Sequence, residues 1–420
     1  MKPMRILLYS INFAPELTGV GKYTGEMAEW LALQGHDVRA VTAPPYYPEW
    51  KVASGFSAWR FARERWNGVE VFRAPLWVPD RPGGLKRLLH LASFAASSAL
   101  SLFPQWQWRP DVVWVVEPPL MCAPSALAFA RLTGAKAWLH IQDYEVDAAF
   151  DLGLIKARPL RRTVLRAEQW LMRRFDRVST ISGRMLERAT DKGVSEERLV
   201  SFPNWVDIGA IAPLAGVSPY RSSLGIPEDA VVALYSGNMG SKQGLEVLAD
   251  AARALAGHPD IHFVFCGNGA GKADLEARCQ GLNRVTFLDL QPLERLSELL
   301  GLADIHLLPQ RADAADLVMP SKLTGMLASG RPVVATARPD TELGRVVETD
   351  AACGLIVPPE DGHALANAVL QLASDGARRQ SMGQRGRQYA EHQLDRDQVL
   401  RRFEQALYAC TDPLWQEAHQ

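Results

Sequence analysis

Twice along this chain, short β-branched runs alternate with amphipathic stretches, and one segment with no period separates the two series. The first series comprises Arg5–Ile11, Val38–Thr42, Val69–Arg73, Asp111–Glu117, Lys136–Ile141, Arg177–Ile181 and Arg198–Phe202. The second comprises Val231–Ser236, Ile261–Cys266, Arg284–Leu288, Ile305–Leu308, Pro332–Thr336 and Gly354–Val357. Apolar runs of this length, spaced by helical stretches, predict parallel sheets covered on both faces. The segment PNWVDIGAIAPLAGVSP between the series, rich in Pro and Gly, reads as a linker. A chain of 420 residues also exceeds what one core usually supports. The expected fold is therefore α/β, with two doubly wound Rossmann-like domains facing a central cleft, residues 1–205 and 206–394. A C-terminal helix, residues 395–420, is expected to pack back on the first. In such folds ligands bind at the turns leaving the carboxyl ends of the strands.

Charge narrows the ligand. Lysine plus arginine (46) nearly balance aspartate plus glutamate (47), so no global field gathers nucleic acid, and any anion site is local. Five cysteines without a CxxC pair fit a reducing compartment, and the strand-like run beginning near Met4 leaves no room for a signal peptide. Leu85–Phe103 is apolar but carries Lys86, Arg87 and His90 near its start. It reads equally as an interfacial helix on anionic lipid or as a core helix with a basic first turn.

Three turns are built for anions. In NFAPELTGVGKYTGEM, Gly19 and Gly21 open a helix that Thr18 can cap and Gly35 stops; glycines here let backbone N–H groups approach a ligand. In YSGNMGSKQGLEVL, Lys242 sits among Gly237, Gly240 and Gly244 at a helix start, an arrangement suited to phosphate. In VMPSKLTGMLASG, Ser321 can cap a helix whose Leu323 and Thr324 N–H groups are then free for a diphosphate, with Lys322 adding charge. HIQDYEVDAAF gathers His140, Asp143, Glu145 and Asp147 where a strand ends, groups able to orient hydroxyls or move protons. GNGAGKAD, with Gly267, lacks the spacing of a phosphate loop and reads as a turn facing a nucleotide base. No zinc-type ligand set or nucleophile elbow is present in the sequence.

These segments, with TAPPYYPEW, LKRLLHL, STIS and FPNW, resemble the retaining glycosyltransferases of family 4, which have the GT-B fold, and the branch serving colanic acid and related exopolysaccharides. The resemblance spans nearly the whole chain. It implies that Gly19 lies beside the donor diphosphate, that His140 lies near the transferred sugar, and that Lys242 binds the diphosphate. Ser321, Lys322, Leu323 and Thr324 match the loop and helix start that also hold the phosphates, and Gly237, Asn238 and Gly267 fall in the same donor site. On the acceptor side it places Tyr46, Tyr47, Asp143 and Glu145. It further implies transfer without metal or other cofactor, from a nucleotide sugar (GDP-fucose is the first expectation) to a lipid-linked saccharide at the cytoplasmic face of the inner membrane. Two positions depart from the family pattern: Asn238 stands for an arginine, and Gly325 for the glutamate that binds ribose. Two other readings stay open, a nucleotide-sugar epimerase or hydrolase and a non-catalytic scaffold of a polysaccharide assembly complex.

Overall fold

The computed structural model describes residues 2–80, 83–151, 158–240, 243–312 and 320–412. Two compact units divide the chain. One holds residues 1–203 and 400–420, the other Asn204–Val399.

The first unit is built on β1 (Arg5–Tyr9), β2 (Asp37–Thr42), β3 (Ala62–Trp66), β4 (Val69–Arg73), β5 (Val112–Glu117), β6 (Lys136–Ile141), β7 (Arg177–Thr180) and β8 (Leu199–Ser201). They lie in the order β3-β4-β2-β1-β5-β6-β7-β8, parallel except for β3 against β4. The central strand β5 is buried along its whole length and β6 from Ala137 onward, which is why they read as apolar runs. The chain reverses its direction of winding at β1, so the carboxyl ends of β1 and β5 form the switch point where such sheets bind ligands.

The strand β3 was not expected. Its sequence ARERW is charged and mostly exposed, so no apolar run marks it. The signal was the turn: Asn67 and Gly68 both have positive φ, 43° and 84°, as a tight hairpin requires.

The second unit carries β9 (Val231–Ser236), β10 (Ile261–Cys266), β11 (Val285–Leu288), β12 (Ile305–Leu308), β13 (Val333–Thr336) and β14 (Gly354–Val357), all parallel in the order β11-β10-β9-β12-β13-β14. Its switch point lies at β9 and β12. The segment after Phe202 is held within this unit, where Val206 pairs with Leu394 and Asp395. The C-terminal helix Arg396–Thr411 then places Phe403 in the first unit's core, stacked 4.2 Å from Phe202 and edge-on to Trp138 and Trp114. Glu404 bonds His36 at 2.9 Å in the same unit.

Candidate functional site

In the second unit the turn after β9 is locked to the turn after β10. The Gly237 N–H donates to the Cys266 carbonyl, that of Met239 to Asn268, and that of Gly271 to Met239. Gly237 and Gly267 have φ of 132° and 148°, and a Cβ on Gly267 would collide with the Gly237 carbonyl. Only glycine permits this approach. A Cβ on Gly237 would lie 2.6 Å from Cε of Lys322, so the lysine runs directly over this turn.

Lys322 begins the helix Lys322–Ala328. Its Nζ donates to the Tyr235 hydroxyl at 2.7 Å and reaches the Asn238 carbonyl at 3.4 Å, while the Tyr235 hydroxyl donates to that carbonyl at 2.6 Å. No carboxylate among the described residues pairs with it. Burial lowers its pKa to about 8. Among the described residues this ammonium is held by a phenol and a carbonyl, neither of which neutralises its charge.

Several expectations change here. Lys242 lies outside the described residues. Ser321 makes no side-chain cap, and the Leu323 N–H is taken by the Pro320 carbonyl at 3.0 Å, because the chain enters the helix in a helical conformation at Ser321. Thr324 turns its hydroxyl to the Ser321 carbonyl. Asn238 is exposed and contributes its carbonyl to the lysine site. A side chain at Gly325 would meet Leu300 and Ile211, so apolar packing occupies that direction.

In the first unit the turn after β1 is organised by Glu16, a residue that sequence reasoning passed over. Its buried carboxylate accepts the N–H groups of Tyr46 and Tyr47, both at 3.0 Å, and the Asn12 amide at 2.9 Å. Desolvation raises its pKa, and the two backbone N–H bonds oppose that rise. Arg73, also buried, donates to the carbonyls of Ala14 and Ala43 and pairs with Glu64. Contacts spanning thirty or more positions fix this turn, so no local pattern announced them. Gly19 is exposed at φ 59°, with a Cβ position 3.5 Å from the Tyr47 ring, and Thr18 makes no cap.

His140 stands at the end of β6 as expected, but its ring is turned into the core instead of lying at the open edge. Its ring is fully enclosed, stacked 5.1 Å from Trp114 and edge-on to Phe202. Nδ1 bonds the Ser179 hydroxyl at 2.8 Å and Nε2 the Gln142 amide at 3.0 Å. Burial lowers its pKa to about 3, so it is neutral. The β6 register turns residue 140 inward and leaves Gln142 as the first polar group beyond the strand.

Glu145 accepts the Leu120 N–H at 2.8 Å, and Asp147 pairs with Arg188 and Lys192, so both are tied to their own unit. Asp143 makes no hydrogen bond among the described residues. Burial raises it to about 7 against the lowering influence of Arg87. Tyr46 is buried against His90 and Trp50, while the Tyr47 ring is 38% exposed. Among the described residues no group of His, Cys, Asp or Glu gathers as for a metal ion.

The comparisons with known proteins agree with this architecture. A Glycosyl transferase 4-like domain model matches residues 18–205, and a Glycosyl transferases group 1 model matches residues 230–375. The two Rossmann-like units and these two matches make it a glycosyltransferase of the GT-B fold, and the chain belongs to glycosyltransferase family 4. It is similar to the putative colanic acid biosynthesis glycosyl transferase WcaI of Escherichia coli K12, 46% identical over 95% of this chain and 98% of the relative. It is 25% identical to a glycogen synthase of Mycobacterium tuberculosis over 93% of this chain and 91% of that protein. Among solved structures, a sucrose-phosphate synthase from Thermosynechococcus elongatus matches with TM-score 0.71 at 19% identity, covering 96% of this chain and 98% of that one. Anabaena HepE in complex with UDP matches at 0.70 and 17%, covering 97% and 100%. These two likenesses speak to the fold.

Proposed function

We propose that the protein transfers a sugar from a nucleotide-diphosphate donor, GDP-fucose first among the candidates, to a lipid-linked saccharide during synthesis of a colanic-acid-type exopolysaccharide. The observation that carries the reading is Lys322, a half-buried ammonium with neutral partners over the glycine turn at a switch point. There it neutralises the leaving diphosphate, the task a divalent ion performs in other transferases, so the reaction proceeds without metal. The WcaI relationship supports the pathway.

In the proposed step the acceptor hydroxyl oxygen bonds the anomeric carbon on the face that the diphosphate leaves. The carbon–oxygen bond to the phosphate breaks, and the departing phosphate oxygen takes the acceptor's proton. Configuration is retained, and no separate base is needed. The role of His140 becomes one of positioning: its lone pair holds the Gln142 amide at the end of β6. Lys242 is proposed as a second donor-phosphate ligand.

The membrane side of the reading rests on the helix Gly84–Leu100. Leu85, Leu89 and Leu100 are exposed along it, followed by exposed Phe103 and Trp106, with Lys86 at its start. No helix among the described residues is long and apolar enough to cross a membrane. An apolar stripe with basic residues fits a helix lying in an anionic interface at the cytoplasmic face.

The test is a thermal-shift panel of GDP, UDP, TDP and ADP with and without magnesium, on wild type, Lys322→Met and Lys242→Ala. One nucleotide at about a hundred times its Kd is expected to stabilise the fold by ~2.7 kcal/mol, independently of magnesium and only in the wild type. A scaffold reading is favoured by Asn238 and Gly325, and silence across the panel would select it.

A further inference from the structure

A cleft of about 570 Å³ opens in the second unit at the sheet edge opposite the glycine turns. Asp304 and Pro332 line it and directly precede β12 and β13, which places it at the amino-terminal ends of these strands. Gly237, by contrast, follows the carboxyl end of β9, and Lys322 lies over that turn. The walls of the cleft are fixed by close packing. A Cβ on Gly383 would collide with the Gly330 carbonyl, and one on Gly330 would lie 2.9 Å from Pro213, so the helix Gly376–Tyr389 rests on the Gly330 backbone. Arg387 ties that helix to the carbonyls of Ile211 and Ala328, at 2.7 and 2.8 Å.

The charges that line the cleft do not cancel. Arg387 pairs with Glu391, and Asp304 pairs with Arg221 and accepts the Val232 N–H. Arg331 and Arg379, both half-buried, have no carboxylate partner among the described residues. Arg331 donates to the Gly301 carbonyl at 3.3 Å, and Arg379 gives Nη1 to the carbonyls of Leu372 and Ala373. Capping helix ends explains those bonds, but it leaves both guanidinium groups with unused donors and an uncompensated charge. Beside them runs a row of amides. Gln380, Gln384 and Gln388 recur every fourth residue on one face of the helix, and their side chains make no hydrogen bond among the described residues.

These groups select the chemistry of a ligand. Guanidinium groups fit a phosphate, whose oxygens accept paired N–H bonds. Amides, which both donate and accept, suit ring hydroxyls. Among the described residues no aromatic or large aliphatic side chain lines the cleft, so neither a nucleotide base nor a lipid tail finds a surface there. The volume falls among those of small-molecule sites, ~300–1,000 Å³.

We propose that this cleft is a second ligand site that binds a phosphorylated monosaccharide, with Arg331 and Arg379 taking the phosphate and the glutamine row taking the sugar hydroxyls. The site is independent of the transferase reading, because no residue of the donor turns contributes to it.

Isothermal titration of the full-length protein with glucose 1-phosphate, glucose 6-phosphate, glucose and inorganic phosphate tests the site in wild type, Arg331→Gln, Gln384→Ala and Lys322→Met. A hexose phosphate is expected to bind wild type about tenfold or more above glucose and above inorganic phosphate, and Arg331→Gln is expected to lose about tenfold or more of that affinity. Gln384 is exposed, so its replacement keeps the test decisive where Arg331→Gln disturbs the fold. Gln384→Ala is expected to weaken the hexose phosphate about threefold or more and to leave inorganic phosphate unchanged, a split that altered folding would not produce. Lys322→Met is expected to keep wild-type affinity. The proposal is overturned if neither hexose phosphate binds wild type, or if Arg331→Gln or Gln384→Ala binds as wild type does. Inorganic phosphate bound as tightly as the hexose phosphates removes the saccharide and overturns it as well. Binding lost in Lys322→Met and kept in Arg331→Gln assigns the ligand to the donor turn and overturns it too.

Discussion

Burial lowers the Lys322 ammonium from its ordinary 10.5 to about 8, and its polar neighbours, Tyr235 and the Asn238 carbonyl, are neutral. Two pH dependences of opposite sign follow. Between about 8 and 10.5 the unfolded chain holds a proton that the folded protein has released, so this group's contribution to stability rises with pH across that window. Anion binding needs the charged form, so nucleotide affinity is expected to fall as pH rises through 8. Titrations at pH 7 and 9.5 check this, with Lys322→Met as the flat control. A second buried cation behaves differently. Lys192 pairs with Glu168 at 2.5 Å and with Asp147, all three side chains nearly inaccessible. Lys192→Met therefore strands the Glu168 carboxylate, while Asp147 keeps Arg188, and is expected to cost about 3–5 kcal/mol in chemical denaturation, with Glu168→Gln restoring part of it. Such residues also show where reading from sequence ends. Gly237 and Gly267 were legible because a glycine between strand and helix has few other reasons to be there. The partners of Glu16, Arg73 and Tyr235 were not, since burial of a charge depends on segments far away in the chain. The burial of the His140 ring was not legible for a related reason: periodicity places a strand but does not say which face a residue at its end will take.

At the scale of elements, the helix Gly84–Leu100 meets the core reading of its sequence on one face and leaves the other face for the proposed interface. His90, Leu91, Phe94 and Ser98 are buried, while Leu85, Leu89 and Leu100 are exposed on the opposite side. Replacing Leu85 and Leu89 together by Asn is expected to reduce binding to phosphatidylglycerol vesicles at least tenfold, since each buried leucine contributes roughly 1.5–3 kcal/mol. The melting temperature should stay unchanged, because neither side chain supports the core. Flotation with vesicles and a melting curve decide it. The parallel strands were legible from their β-branched runs, and β3 was missed because an edge strand facing solvent needs no apolar residues.

At the scale of the molecule, the chain leaves the first unit after Pro203 and returns at Leu400. Its return is a packing event. Phe403 fills a slot among Phe202, Trp114 and Trp138, and Tyr408 donates to the Lys2 carbonyl. Phe403→Ala is expected to cost about 3–5 kcal/mol, confined to the first unit. Calorimetry should therefore show one of two transitions move and the other stay.

That slot has a consequence for synthesis on the ribosome. The first unit emerges early but lacks the helix that closes its aromatic core until Arg396–Thr411 is made, roughly 200 residues later, a delay of about 10–40 s at ~5–20 residues per second. Throughout that interval the second unit is itself still being made, and the first waits with Trp114 and Trp138 uncovered. A nascent chain in that state is a natural client for a chaperone, and a prematurely terminated one never closes its core.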